Sequence, residues 1–316
     1  MLKKKSQLSG SLMLLLAAFI WGSTFVAQDK AATEPFTFIA CRNYIGAAVL
    51  MPVIAVIDVF SKKNGLLPKD FKVLSFSKKE VTGGIICGFI LFIAASLQQY
   101  GIFVYPSEEA AAGKSGFITA LYIILVPIAG LFLKKKAGVN IWVSVAIAVV
   151  GMYLLCIKSG FEILLADLIL VLCAIGFTAH ILVIDAFGPY VNGVKLSALQ
   201  FFVSAVLGTI FMFIFEKPTF TAIINDIVPI LYAGLLSSGV AYTLQIVAQK
   251  RTSPTVASVI MSLESVFAVL SGALFGEVMQ TKEIVGCILM FAAVILAQID
   301  FKSLKKEKVR DLTKKV

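Results

Sequence analysis

Residues 253–277 read SPTVASVIMSLESVFAVLSGALFGE, an apolar run that opens on Ser-Pro and closes on a glutamate. The hydrocarbon core of a bilayer asks for roughly 20 apolar residues in a helix, and this run supplies them. Its midpoint carries a carboxylate, Glu264. At about 1.5 Å of rise per residue, Glu264 sits some 16 Å from either end, close to the bilayer midplane. Placing a charge there costs roughly 2.5 to 3.5 kcal/mol even on lenient insertion scales, so such a group goes with a partner, a proton or a water-filled cavity. Moving back 142 positions gives the same unit again, AAGKSGFITALYIILVPIAGLFLKK at residues 111–135. Leu263 then falls on Leu121, Ile260 on Ile118 and Gly272 on Gly130. Two copies of one membrane unit imply a pseudosymmetric transporter.

Composition supports the same class. A chain of 316 residues that is 59% hydrophobic and 15% charged cannot bury its apolar surface in a water-soluble core. Ten apolar spans are expected, near 9–28, 36–57, 81–104, 110–133, 138–157, 164–185, 197–215, 227–249, 253–276 and 283–299. The first follows Lys3, Lys4 and Lys5 and also fits a cleavable signal peptide, but it is long enough to span and a related segment opens the second half. The net charge of +10 does not point to nucleic acid, because the positive residues lie in short runs between the spans. The connections on one side carry 22 of the 28 lysines and arginines, and those on the other carry Lys30, Lys158, Lys217 and Lys282. By the positive-inside rule the rich side, with both termini, is cytoplasmic. The location implied is the cell membrane.

Five spans per half is an odd number, so the second copy enters the membrane upside down, as in the inverted repeats of many secondary carriers. The expected division is 1–160, 161–300 and a basic cytoplasmic tail at 301–316. The expected fold is all-α, ten transmembrane helices in two inverted five-helix repeats around a central cavity. Further matches support the duplication: Ser96 and Tyr100 fall on Ser238 and Tyr242 at the offset of 142, and Arg42 falls on Gln200 at 158. A weaker match sets Trp21-Gly22-Ser23 on Gly176-Phe177-Thr178 at 155.

Several segments carry chemistry. Ser238, Tyr242, Gln245 and Gln249, spaced i, i+4, i+7 and i+11, form one polar stripe if their helix is regular. In lipid such a stripe faces protein or water, so it is either interhelical hydrogen-bond glue or a cavity wall. The third span repeats it with Ser96 and Tyr100 and adds Gln98 and Gln99, which favours the cavity. Ser258, Ser262, Ser265 and Gly272 share a face of small residues that suits close helix packing. Glu264 is the expected proton carrier or substrate partner, against a structural hydrogen bond or buried ion pair. His180, the only histidine, is either a satisfied buried side chain or a second titrating group. Arg42 and Lys114 read as structural or gating charges near the outer side, Lys114 beside Glu108 and Glu109.

These residues resemble the EamA-like transporters of the drug/metabolite transporter superfamily. The likeness covers nearly the whole chain: FIWGSTFVAQ in the first span with Trp21, Arg42 in the second, and SLESVFAVLSGALFGE in the ninth. The chain departs from the family in having Glu264-Ser265 where Glu-Pro is common, and Lys135 where the second copy has Glu277. The resemblance implies a carrier, in many members an exporter, of amino acids or other small metabolites. Phosphorylated metabolites or nucleotide-sugars are the alternative cargo, and a membrane enzyme or channel the alternative class.

No cofactor is expected. AAGKSG contains the GKS of a phosphate loop, but the earlier glycine would have to stand where Glu108 does. The five cysteines lie far apart inside spans, without metal-ligand spacing. The partners implied are a small-molecule solute and the lipid bilayer, without nucleic acid; monomer and homodimer both remain open.

The charge split makes a direct prediction. A cysteine introduced at Lys69, or in the tail after Lys302, should resist membrane-impermeant maleimide added to intact cells and react after permeabilisation. Efficient labelling from outside would reverse the topology.

Overall fold

The computed structural model describes residues 2–68, 70–105, 111–135, 137–156, 164–274 and 280–299. Glu108, Glu109, Lys69, Gly276, Glu277 and the tail from 301 onward lie outside the described residues.

The chain is all-helical among these residues. The first part holds α1 (Leu2–Asp29), α2 (Pro35–Lys63), α3 (Lys78–Phe103), α4 (Ala111–Thr119), α5 (Tyr122–Phe132) and α6 (Val139–Cys156). The second holds α7 (Leu165–Phe187), α8 (Gly193–Phe215), α9 (Phe220–Asn225) and α10 (Ile227–Tyr232). A π-helical stretch, Ala233–Tyr242, follows, then α11 (Thr243–Gln249), α12 (Pro254–Met261), α13 (Glu264–Leu274) and α14 (Thr281–Gln298). Nine helical segments among the described residues are long and apolar enough to cross a bilayer. The expected fifth span is the shorter apolar segment Val139–Leu155.

Helix starts follow local chemistry. Ser77 and Glu80 close a reciprocal capping box, Ser77 Oγ accepting from the Glu80 amide at 3.2 Å and Glu80 Oε2 from the Ser77 amide at 2.7 Å. Proline occupies the first position of α2 and of α12, where its missing N–H costs nothing.

Polarity is distributed as lipid requires. Large apolar side chains such as Phe213, Ile214, Ile288 and Ile295 face outward, while Gln28, Gln99, Ser144, Ser204 and Gln245 are buried between helices. Several helix pairings recur on both sides of the chain's middle. Helix α2 packs on α8 and α6 on α14. The contact of α3 with α8 has its counterpart in α2 against the π-helical stretch. Likewise α3 against α7 matches α1 against that stretch, and α1 against α13 matches α7 against α4 and α5.

The α2–α8 pair is tied at both ends. At one, Glu216 accepts from the Phe36 and Thr37 amides at 2.6 and 2.8 Å, a carboxylate on the positive end of α2. At the other, Lys195 Nζ lies 2.9 Å from Asp58 Oδ2 and donates to the Ser75 carbonyl at 2.8 Å.

The stretch expected as one continuous ninth span is two helices. Helix α12 ends at Met261 and α13 begins at Glu264, and α4 and α5 divide in the same way between Thr119 and Tyr122. The tightened hydrogen bonds fall at equivalent places: Leu121 N to Ile118 O (3.1 Å) with Leu263 N to Ile260 O (3.2 Å), and Ile123 N to Ala120 O (3.0 Å) with Ser265 N to Ser262 O (3.2 Å). The ninth segment carries a cause in its sequence. Ser258, Ser262 and Ser265 each donate a hydroxyl at 2.8 Å to the carbonyl three residues back, competing with the helical ladder. The small-residue face therefore acts first on its own backbone.

Gly22 brings α1 against this break. A Cβ there would lie 2.5 Å from the Glu264 carbonyl oxygen and 2.7 Å from the Ala268 amide nitrogen, backbone atoms that cannot step aside. At Gly130 a Cβ would meet nothing nearer than 3.8 Å. Gly22→Ala should therefore lower the thermal midpoint of the purified protein by an amount equivalent to about 1–3 kcal/mol of overpacking. Gly130→Ala should stay within about 0.5 kcal/mol. Equal midpoints for the two variants would show that α1 and α13 do not cross at Gly22.

Candidate functional site

The helix breaks face a central cavity. Its walls come from α1 (Trp21, Thr24, Phe25, Gln28), α2 (Arg42), α3 (Gln98), α4 and α5 (Thr119, Tyr122), and α7 (Phe177, Ile181). The remaining wall comes from Ser237, Tyr242, Gln245, Met261 and Glu264. Its free space for the centres of water molecules is about 30 Å³, enough for roughly two waters.

Tyr122 and Glu264 are the first residues of α5 and α13. They are also equivalent at the 142-residue offset, one position beyond Leu121 and Leu263. The Tyr122 hydroxyl donates to Glu264 Oε1 at 2.8 Å, so the two copies touch through their matched residues. Glu264 is 4% exposed, and among the described residues no cation lies within 4 Å of it. It begins a half-helix, where the partial positive charge of free N–H groups favours an acid.

Arg42 enters from α2. It is 3% exposed; Nη2 donates to Ser237 Oγ at 2.8 Å and Nε to Ser238 Oγ at 3.4 Å. Ser238 in turn donates to Asn43 Oδ1 at 3.2 Å, and Asn43 Nδ2 to Ser204 Oγ at 2.8 Å. Arg42, expected as a structural or gating charge near the outer side, stands in the cavity wall, where the π-helical hydroxyls receive its guanidinium.

The aromatic floor is Tyr242. Trp21 meets it edge-on at 4.8 Å between ring centroids, and His180 and Phe201 close around it at 5.8 and 5.7 Å. His180 is fully buried behind Tyr242, outside the cavity wall, with Nε2 3.0 Å from Gln200 Oε1.

The expected stripes reach the cavity unevenly. Tyr242 and Gln245 line it, whereas Ser238 lies behind it and Ser237 takes its place in the wall. The reason is the π-helical stretch: its i→i+5 bonds set Ser237 and Tyr242 one turn apart, where a regular helix would align Ser238 with Tyr242. In α3, which is α-helical throughout, Gln98 lines the cavity and donates to Thr119 Oγ1 at 3.4 Å. Gln99 accepts from Gln28 Nε2 at 2.8 Å, and Ser96 is buried away from the wall. Tyr100, expected in the wall, is 45% exposed on the outside of the bundle. Its match to Tyr242 holds in sequence but not in space, since a regular helix and a π-helical one turn at different rates. Lys114 also stays out of the wall, 3.0 Å from Asp167 Oδ2 and over the Tyr105 ring.

Sequence reasoning passed over Tyr122, Thr24, Gln28, Ser237 and Thr119. Two signals were available. Tyr122 is one residue beyond the aligned leucines, and Trp21, Thr24 and Gln28 repeat at i, i+3 and i+7, a helical face of α1.

Known proteins give a consistent picture. The model of the EamA-like transporter family matches twice, over residues 8–157 and 164–298. An uncharacterized transporter of Archaeoglobus fulgidus is 30% identical over 297 residues, covering 93% of this chain and 87% of the relative. One from Clostridium kluyveri is 24% identical over 94% of both chains, and the uncharacterized transporter YwfM of Bacillus subtilis is 27% identical over 90% and 92%. A solved crystal structure superposes with a TM-score of 0.72 over 92% of this chain and 96% of that one at 17% identity, a likeness of fold. Every residue that lines the cavity lies within the two matched stretches, and the chain belongs to the EamA-like transporter family.

Proposed function

We propose that the protein is a secondary active carrier that moves small metabolites such as amino acids out of the cell, coupled to protons. It lies in the cell membrane with both termini in the cytoplasm. Residues 1–160 and 161–300 act as two inverted repeats that rock around the central cavity, and 301–316 form a cytoplasmic tail. The two separate family matches and the paired helix contacts support the division.

The observation that carries the reading is the Tyr122–Glu264 contact at the two helix breaks, inside the cavity. Discontinuous helices at mid-membrane are the places where carriers bind solute and ion, since broken turns give polar groups where lipid-facing helices have none. Glu264 can hold a proton while the cavity is closed and release it when one side admits water. Tyr122 suits both states, because its hydroxyl donates to a carboxylate and to the carbonyl oxygen of a carboxylic acid. Rocking opens the α2–α8 pair at one end and then the other, at Glu216 or at Asp58–Lys195.

Glu264→Gln keeps the shape of the side chain and removes its titration. In proteoliposomes loaded with a radiolabelled amino-acid mixture, the variant should insert normally and lose pH-driven net efflux by more than about tenfold, with solute exchange retained. Unchanged pH dependence, with only a lower thermal midpoint, would make Glu264 structural and leave His180 as the next proton carrier to test.

A further inference from the structure

Among the described residues the buried lysines are paired with carboxylates, whereas Arg42 is not. Lys195 lies 2.9 Å from Asp58 and Lys114 3.0 Å from Asp167, and Lys135 pairs with Asp185. Arg42 is as deeply buried as Lys195, yet its partners are the hydroxyls of Ser237 and Ser238, and among the described residues no carboxylate lies within 4 Å of it. A guanidinium does not shed its proton in a protein, so the positive charge stays in the cavity wall throughout. A buried cation held only by neutral groups costs free energy that an incoming anion recovers. Ser237 and Ser238 take two of its five N–H donors, and among the described residues Nη1 has no acceptor.

We infer that Arg42 is the receptor for a carboxylate on the transported solute, and that the solute carries one such group on a compact, largely apolar body. This rests on the cavity being the transport site. The geometry selects the class: the guanidinium fork matches a planar carboxylate through two parallel hydrogen bonds. With Glu264 carrying its proton as proposed, one cation in the wall balances one negative charge. A phosphate ester dianion would leave a charge unmatched, since Lys114 is held by Asp167 outside the wall. The indole N–H of Trp21 is buried without an acceptor among the described residues and lines the same cavity, giving a second donor. Phe25, Phe177 and Ile181 complete an apolar wall. Gln245 Oε1, without a donor, offers an acceptor to an N–H of the solute.

The test uses the full-length protein in lipid nanodiscs, with thermal stability read against matched probes. These are the L-amino acids, short-chain monocarboxylates, the carboxamide of each, and glycerol 3-phosphate. At least one carboxylate should raise the midpoint while its carboxamide and the phosphate do not, and Arg42→Gln should weaken that carboxylate's binding by more than about tenfold. Arg42→Lys, which keeps the charge without the fork, should fall between. A carboxamide or phosphate that stabilises as well as its carboxylate would overturn the assignment. So would unchanged binding in Arg42→Gln, or no shift with any carboxylate. If Arg42→Gln does not fold, the carboxylate must still slow phenylglyoxal modification of Arg42 in an Arg251→Lys, Arg310→Lys background, and failure to do so overturns the assignment too. Arg42-dependent binding without solute counterflow in liposomes would refute the transport reading while Arg42 kept its ligand.

Discussion

The hydrogen bond from Tyr122 to Glu264 is the contact on which the membrane architecture turns. A carboxylate at the centre of a bilayer-length segment costs roughly 2.5 to 3.5 kcal/mol, and one hydrogen bond to a charged group returns roughly 1.5 to 3. The two nearly cancel. The pairing needs both helices to be interrupted, since it joins the opening residues of α5 and α13, and it needs α1 close by, which Gly22 permits. Serine back-bonding, the glycine crossing and the buried acid are thus parts of one local solution.

The rest of the polar interior is arranged around that contact. Large apolar side chains cover the outside of the bundle, and many hydroxyls and amides are buried between the helices. Tyr242 occupies the middle, with Trp21 against one edge and His180 on another, so movement of its ring would be felt in the cavity and in the layer behind it. The π-helical stretch makes this possible by displaying Ser237 and Tyr242 together while Ser238 turns toward Asn43.

Much of this was legible in the chain. Hydropathy gave the spans, because a membrane helix must be apolar for its whole length, and the isolated carboxylate at 264 marked the centre without any knowledge of the fold. Trp21, Gln98, Tyr242 and Gln245 were also readable as wall residues. What escaped depended on backbone phase. A regular period was assumed for residues 233–242, so Ser238 was set where Ser237 stands and Tyr100 was carried inward with Tyr242. The breaks escaped for a similar reason: tightened turns between apolar residues leave hydropathy unchanged. The partners of Arg42 also escaped, since spacing along a helix gives distance from its end but not the hydroxyls waiting on a neighbouring helix.

Divergence between the copies has a consequence for ancestry. In a dimer of identical chains crossing in this way, positions 122 and 264 would hold the same side chain. Two glutamates would set like charges against each other unless they shared a proton, and two tyrosines would offer no acid at all. Joining the copies in one chain freed each position to change alone, and a donor could then meet an acceptor. The acid now belongs to one half only. On the proposed rocking mechanism the two directions are therefore inequivalent, and an inward-facing and an outward-facing form related by the duplication would differ in energy even with identical solutions on both sides of the membrane.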